Sequence, residues 1–205
     1  MNKPHLEWKE ESRKKVFESK IFSVLESNCR SPEKKDKSPE AGSRDAKSHS
    51  HVFSLIDTKD WAIIIPVIEN NKGKHFLMVW QWRHGSRCLS LEFPGGVFEA
   101  GENPRQAAVR ELYEETGFKP GKIKKIGECS PNPAIMTNKV HFFLAESLVS
   151  SGRQKLDEDE YVETALVNED KVINGMGKDP FVHALMGTAL ALYLKNTFKS
   201  SNHQK

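Results

Sequence analysis

The sequence predicts a protein of mixed α/β class. Short segments rich in β-branched and aromatic residues, among them WAIIIPVI and KHFLMVWQWR, are typical of β-strands. Residues 104–116 and the C-terminal stretch PFVHALMGTALALYLKNTF instead carry apolar residues at helical spacing. At 205 residues the chain is long enough to bury a core without disulfides or metal staples. These observations favour one domain of ordinary size, built from strands and helices, with a small appendage.

Two strand candidates, KIFSVLES and HVFSLID, flank a polar segment near the N-terminus. From Cys29 to Ser50 the chain contains no Val, Ile, Leu, Met or aromatic residue, so this segment cannot anchor itself in a core. We expect it to be a flexible insert at the tip of an overgrown hairpin. The predicted organisation is N-terminal strands with the insert (about 29–50) over residues 1–58, a main domain over 59–199 and a tail over 200–205.

The main domain begins with three strand candidates, WAIIIPVI, KHFLMVWQWR and CLSLEF, and Gly95 and Gly96 end this run. The next helix is expected to start after Asn103, a good N-cap residue, with Pro104 in its first turn. Gly117 is suited to end the helix. The segments KIKKIGEC, KVHFFLAES and VETALV are later strand candidates, and the amphipathic helix follows them.

Charge and composition exclude several classes of function. The net charge of +3, with 29% charged residues, gives the chain no strong bias toward nucleic acid or a membrane. Its start lacks the apolar run of a signal peptide, and WAIIIPVI is too short to span a bilayer. The three cysteines are odd in number and widely spaced, which fits reduced thiols. We expect a cytoplasmic protein without nucleic-acid or membrane partners.

Three glutamates crowd one face of the helix predicted at 104–116. Residues three and four apart share a helix face, so Glu111 projects beside both Glu114 and Glu115. Carboxylates at this spacing repel each other unless a cation neutralises them, and Mg²⁺ prefers such oxygen ligands. The cluster therefore predicts a Mg²⁺ platform, whereas the alternative interpretation is a solvated, charged helix face. Arg110, pointing elsewhere on the helix, is expected to pair with Glu102 and hold the intervening loop.

This stretch resembles the signature of the Nudix hydrolase family, G-x(5)-E-x(7)-R-E-U-x-E-E-x-G-U, where U is bulky and apolar. Every fixed position matches, namely Gly96, Glu102, Arg110, Glu111, Leu112, Glu114, Glu115, Gly117 and Phe118. A chance match at a given start has a probability on the order of 10⁻⁸. The resemblance implies an α/β/α sandwich with a mixed sheet and a strand-loop-helix motif that binds Mg²⁺ or Mn²⁺.

The resemblance also implies roles for the matched residues. It assigns Glu111 and Glu115 as the main metal ligands, helped by Glu114 and the Gly95 carbonyl, and it assigns structural roles to Gly96, Glu102, Arg110 and Gly117. The implied reaction is hydrolysis of a nucleoside diphosphate that is linked to another group.

Two features outside the signature resemble the ADP-ribose and nucleotide-sugar pyrophosphatase branch of the family. The segments VWQWRHG and LEFPGG are similar to the Q-[YF]-R and L-E-x-P-[AG]-G segments of that branch, which places Arg83 at a diphosphate; a solvent-facing arginine is the alternative. Pro133 lies sixteen residues after Gly117, a spacing associated with ADP-ribose enzymes. The local sequence SPNPAIMTN departs from the Ser-Pro-Gly loop of well-known members, and an ordinary proline turn is the alternative.

A third feature is the acidic segment LDEDEYVETALV, which resembles the loop that supplies a glutamate to activate or orient water. Glu160 matches best, with Glu158 and Glu163 as competitors. In this branch the N-terminal strands often build a dimer and stack the base between aromatic side chains. The resemblance therefore implies a homodimer with Phe22 and Phe53 as stacking residues, and placement of these rings in a core is the alternative.

The predicted function is metal-dependent hydrolysis of ADP-ribose or a nucleotide sugar to a nucleoside monophosphate and a sugar phosphate. One alternative is a house-cleaning hydrolase of oxidised nucleoside triphosphates, which shares the signature but releases pyrophosphate. Another is a non-catalytic sensor of ADP-ribose or nucleotides, a class that commonly loses signature glutamates, whereas none is missing here. An RNA-end hydrolase is disfavoured because the chain shows no obvious stripe of basic and aromatic residues.

Overall fold

The computed structural model describes residues 3–32, 48–156, 158 and 160–202, with side chains up to residue 198. The chain folds as two compact units. The first contains Met1–Thr58 and Asn132–Asn138, and the second contains Lys59–Pro131 and Lys139–Lys205. The segment 132–138, which the sequence placed in the main domain, therefore belongs to the N-terminal unit.

The first unit contains a three-stranded antiparallel sheet with the order β1-β2-β3. Its strands are β1 (Lys9–Glu18), β2 (Ser23–Arg30) and β3 (Ser50–Asp57). Arg30 pairs with Ser50, so the hairpin predicted around the polar insert is present. Strand pairing continues through Cys29 and Arg30 and resumes at Ser50, because it uses backbone groups and does not require apolar side chains. The central residues of the insert, 33–47, lie outside the described residues.

The second unit contains a seven-stranded mixed sheet. Its strands are β4 (Trp61–Asn70), β5 (Gly73–Arg83), β6 (Cys88–Glu92), β7 (Gly95–Val97), β8 (Phe118–Cys129), β9 (Val140–Ser150) and β10 (Val162–Asn168). The order is β10-β5-β4-β9-β8, with β6 beside β5 and β7 beside β4. Strands β4 and β9 are parallel, and the other pairs are antiparallel.

Helices cover both faces of this sheet. They are α1 (Pro104–Thr116), α2 (Glu169–Gly175) and α3 (Ala184–Asn202). Ala62 and Ile64 of β4 pack with α1, whereas the alternating residues Ile63 and Ile65 pack in a second cluster that includes α3. Burial on both faces explains why WAIIIPVI is a continuous apolar run rather than an alternating one. The predicted α/β/α sandwich with a mixed sheet is confirmed.

The C-terminal helix differs from its predicted limits. Helix α3 starts at Ala184, although the helical pattern was traced from Pro180, and it continues to Asn202. The tail predicted at 200–205 therefore begins within the helix, and residues 203–205 lie outside the described residues. Among the helices that the structure describes, none is both long and apolar enough to cross a membrane.

Candidate active site

Helix α1 is fixed at both ends by local hydrogen bonds. The Asn103 side chain accepts from the backbone N–H groups of Arg105 and Gln106, each at 3.0 Å, and the Gln106 side chain accepts from the Asn103 N–H at 2.9 Å. At the other end Gly117 has a φ of 75°, a left-handed conformation that suits glycine. Because the helix begins and ends where its caps dictate, its side chains have a defined rotational position over the sheet.

Packing of α1 carries two of its glutamates into the protein. Ala107, Ala108 and Leu112 are completely buried against the sheet, and the neighbouring Glu111 and Glu115 are only 8% and 3% exposed. Glu114, on the outer side of the group, is more accessible. The alternative of a solvated helix face therefore fails for Glu111 and Glu115.

Burial makes these two carboxylates hard to ionise in the absence of a cation. The pKa of Glu115 is raised to about 8, mainly by burial and further by the charges of Glu111 and Glu160, although the Gly95 N–H, 2.9 Å from its Oε2, opposes the shift. Burial also raises the pKa of Glu111 to about 7, against the attraction of Arg110. The site thus holds more negative charge than the metal-free protein readily accommodates.

Arg110 connects helix α1 to the preceding loop by hydrogen bonds, and all five of its N–H groups donate. Its guanidinium pairs with both oxygens of Glu102, at 2.8 and 2.9 Å, which fixes the loop as expected. It also donates to Glu111 and Glu114, each at 2.9 Å, and to the Val97 carbonyl at 3.0 Å. The expectation that Arg110 points elsewhere on the helix was wrong, because the long side chain curls back over the carboxylates.

Strand β7 orients the backbone of Gly95 toward the carboxylates. Strands β4 and β7 are hydrogen-bonded through alternating residues, and Pro94 accepts from the Ile64 N–H at 2.9 Å. Gly95 lies opposite Ile63, between two such positions, so its N–H faces away from β4 and donates to Glu115. The carbonyl of an extended residue lies on the same strand edge as its N–H, which leaves the Gly95 carbonyl on the side of the carboxylates.

The donor set suits a hard divalent cation. The candidate ligands are all oxygen atoms, from Glu111, Glu114, Glu115, Glu160 and the Gly95 carbonyl. Within the described ranges, no three acidic, histidine or cysteine side chains already converge on one ion position. Arg110 instead donates to one oxygen of Glu111 and one oxygen of Glu114, so an ion there would share these carboxylates with the guanidinium or displace it.

Glu160 lies close to the same cluster. It is half-buried just before β10, and its charge raises the pKa of both Glu111 and Glu115. The competing candidates Glu158 and Glu163 are both exposed. The geometry therefore favours Glu160 as the acidic residue from outside α1 that joins the group.

Arg83 lies at the end of β5 and has a partner that the sequence analysis missed. Its Nε and Nη2 donate to the two oxygens of Glu92 at 2.8 and 2.6 Å, and Glu92 is only 1% exposed. The hydrogen bonds that Arg83 donates to Glu92, together with the charges of Glu92 and Glu115, raise the pKa of Arg83. The sequence offered one signal for this pairing, because Glu92 is an acidic residue near the end of the mostly apolar segment CLSLEF. Arg83 is thus held in place rather than free in solvent.

The other three predicted substrate-binding residues belong to the first unit. Pro133 is exposed in a turn in which the Met136 N–H donates to the Asn132 carbonyl at 2.8 Å. Phe53 is 42% exposed, so it is not a core residue, and its ring centroid lies 5.3 Å from that of Trp8. Phe22 is half-buried. The predicted site residues are therefore divided between the two units.

The chain is similar to several known proteins. Residues 58–185 match the NUDIX domain family. The ADP-ribose pyrophosphatase of Bacillus subtilis (strain 168) is 32% identical over 159 residues, which cover 77% of each chain. The ADP-sugar pyrophosphatase of Mus musculus is 41% identical over 73 residues, 35% of this chain and 32% of the relative. The crystal structure of an ADP compounds hydrolase covers 98% of both chains with a TM-score of 0.76 at 20% identity, a likeness of fold.

Proposed function

The chain belongs to the Nudix family and is a hydrolase of pyrophosphate bonds, and on this premise we propose ADP-ribose or a nucleotide sugar as its substrate. The products are a nucleoside monophosphate and a sugar phosphate, which for ADP-ribose are AMP and ribose 5-phosphate. The observation that carries the proposal is the grouping of three carboxylates, Glu111, Glu115 and Glu160, with the Arg83 guanidinium in electrostatic range of Glu115. Similarity to an ADP-ribose pyrophosphatase over 77% of the chain supports the substrate class.

Nudix hydrolases use divalent metal ions, and for this chain we propose Mg²⁺, with Mn²⁺ as a substitute. Bound ions of this kind neutralise charge on a diphosphate and lower the pKa of a coordinated water. The residues proposed to hold them are Glu111 and Glu115, with Glu114 and the Gly95 carbonyl. Arg110 and Glu102 keep the loop before α1 in place.

The proposed reaction is attack of water on one phosphorus of the diphosphate. Glu160 accepts a proton from the attacking water, whose oxygen forms the new P–O bond. The bond between that phosphorus and the bridging oxygen breaks, and the bridging oxygen leaves with the second phosphate. Arg83 donates hydrogen bonds to the diphosphate oxygens and so orients the scissile bond.

The structure has room for a group beyond the diphosphate. An open cavity of about 570 Å³ borders Glu160 and is also lined by Trp80, Leu89 and Tyr161. We propose that part of the substrate occupies this space. The apolar and aromatic lining suits the flat faces of a base or a sugar ring better than it suits a third phosphate.

We further propose a cytoplasmic homodimer that has no nucleic-acid or membrane partner. Strand β1 is the edge of its sheet, and all of its residues are exposed, so its outer backbone edge is open to a second chain. Phe22 and Phe53 are proposed to stack the base. The near-neutral net charge of +3 supports the absence of a nucleic-acid partner.

A hydrolysis screen tests the proposed function. The purified chain is incubated with Mg²⁺ and ADP-ribose, several nucleotide sugars, dinucleoside polyphosphates or oxidised dGTP, and the products are identified by mass. We expect cleavage of ADP-ribose or a nucleotide sugar to two monophosphates. Release of pyrophosphate from triphosphates alone would show that the substrate class is wrong, and binding of ADP-ribose without cleavage would identify a sensor.

Replacement of Glu160 tests its role as the proton acceptor. In Glu160→Gln the side chain keeps its size but cannot accept a proton, so we expect kcat to fall by about 10²-fold or more. Glu158→Gln is the matched control, because Glu158 is an exposed glutamate in the same segment and we expect it to retain activity. The opposite pattern, with Glu158→Gln impaired and Glu160→Gln active, would transfer the role to Glu158.

A further inference from the structure

Glu92 is an acidic residue that is almost completely buried outside the carboxylate cluster of α1. It is the last residue of β6, is 1% exposed, and accepts two hydrogen bonds from Arg83. A carboxylate in such a position is stable as an anion only with a close cationic partner. Arg83 supplies that partner, and the paired charges keep the pKa of Glu92 below its usual value despite burial.

The pairing leaves one side of the guanidinium available. Nε and Nη2 face Glu92, whereas Nη1 makes no hydrogen bond to any residue that the structure describes, and the Arg83 side chain is 39% exposed. Glu115 lies within electrostatic range of Arg83 but accepts its hydrogen bond from Gly95. The guanidinium is therefore in contact with one carboxylate and within electrostatic range of a second.

His183 is a second neighbour of the Glu92 carboxylate. Its Nδ1 is shielded from solvent and lies 3.4 Å from a Glu92 oxygen, without hydrogen-bond geometry. Burial lowers the pKa of His183, so the imidazole is neutral at neutral pH. The charge of Glu92 is consequently balanced by Arg83 rather than by His183.

Loss of Glu92 would leave Arg83 without its contact partner and near Glu115. Opposite charges in a poorly solvated site attract each other, so the long arginine side chain would turn toward the carboxylate cluster. The guanidinium would then no longer present Nη1 to an incoming anion.

We propose that Glu92 is a positioning residue that holds the Arg83 guanidinium away from Glu115 and presents its open N–H edge to the diphosphate of the substrate. This inference rests on the proposed function, because it takes Arg83 as a diphosphate ligand. Glu92 itself touches neither the substrate nor the reacting atoms. Its contribution is to hold Arg83 in its binding orientation before the substrate arrives, which acts on substrate affinity more than on the chemical step.

The test is a double-mutant cycle with Arg83→Met, Glu92→Gln and the double variant. Binding of ADP in the presence of Mg²⁺ is measured by calorimetry, and kcat and KM are measured with ADP-ribose. We expect Glu92→Gln to weaken ADP binding and raise KM by about 10-fold, the loss of one charge-assisted contact, with kcat within about 3-fold of wild type. Arg83→Met is expected to lose at least as much.

The double variant distinguishes positioning from a general structural role. If Glu92 acts through Arg83, removal of both costs no more affinity than Arg83→Met alone. Arg83→Met leaves the buried Glu92 carboxylate without a cationic partner, which can lower the melting temperature. The double variant removes that charge, so affinity can still be measured on a folded protein if the single variant is unstable. Glu69→Gln, an exposed glutamate on β4, is the matched control and should behave as wild type.

Additive losses in the double variant, or unchanged ADP affinity in Glu92→Gln, would overturn the positioning role. These outcomes differ from a failure of the proposed function. An inactive wild type whose ADP affinity still falls in Glu92→Gln would disprove hydrolysis and keep the positioning role. An active wild type whose ADP affinity is unchanged in Glu92→Gln would keep the proposed hydrolysis and disprove the positioning role.

Discussion

Replacement of Glu115 by Gln is expected to lower kcat roughly 10³-fold or more in the presence of Mg²⁺. Glu115 is buried and its charge is coupled to those of Glu111 and Glu160. Glutamine keeps the volume of the side chain and can still accept the Gly95 N–H, but it supplies no negative charge to a cation. Steady-state hydrolysis of ADP-ribose measures the loss of turnover, and calorimetric titration with Mg²⁺ measures the loss of ion binding.

The same substitution is expected to stabilise the metal-free protein above neutral pH. Folding raises the pKa of Glu115 from 4.5 to about 8, so the folded state favours the neutral carboxyl. The stability that the neutral Glu115 carboxyl gives the folded state is fully present below about pH 4.5, and it is lost as pH rises through about 8. In EDTA the variant should therefore melt several degrees above wild type at about pH 8.5, and the difference should vanish at low pH.

The control for both effects is Glu146→Gln, an exposed glutamate on β9 that should change neither turnover nor stability appreciably. Opposite signs for activity and stability are the informative result, since a substitution that merely damages the fold lowers both. Unchanged turnover in Glu115→Gln would refute the metal role of this carboxylate.

Gly96→Ala is expected to impair catalysis by about 10²-fold while leaving the protein folded. A Cβ atom at this position would lie 2.5 Å from Oε1 and 2.7 Å from Oε2 of Glu111, so the carboxylate has to move. The obstructed atoms are the far end of a flexible side chain, which can shift without unfolding the helix. Kinetics, a Mg²⁺ titration and a thermal melt together separate displacement of the ligand from loss of the fold.

Two other glycines provide comparisons. A Cβ on Gly95 would collide with the backbone carbonyl of Ala62, so Gly95→Ala should lose stability as well as activity. Gly187 lies in α3, where among the described residues a Cβ meets only Met176, at 3.9 Å, so Gly187→Ala should keep activity and gain about 0.5–1 kcal/mol of stability. Wild-type kinetics in a folded Gly96→Ala protein would show that Glu111 tolerates displacement.

Features set by local sequence could be predicted most accurately. The limits of α1 follow from Asn103, Pro104 and Gly117, whose capping geometry involves only neighbouring residues. The crowding of the three glutamates followed from helical spacing, and the signature identified the family. Strand β1 was missed because all of its residues are exposed and its charged sequence has no apolar face. Strand β7 was missed because its three residues form a strand only through pairing with β4.

Contacts between residues distant in sequence could not be predicted in this way. The depth of burial of Glu111 and Glu115 depends on how α1 packs on the sheet, and that burial is the main cause of their raised pKa values. The pairing of Arg83 with Glu92 depends on the register between β5 and β6. The membership of 132–138 in the N-terminal unit likewise depends on tertiary contacts.

The amino-acid sequence by itself determined the family, the fold class and the close spacing of the acidic residues along α1, because those depend on residue type and short-range spacing. Only the tertiary structure decided which carboxylates lose their solvent, which arginine is fixed and which glutamate outside α1 lies near the cluster. Desolvation and charge coupling arise when distant segments exclude water together, and no short stretch of sequence encodes that exclusion.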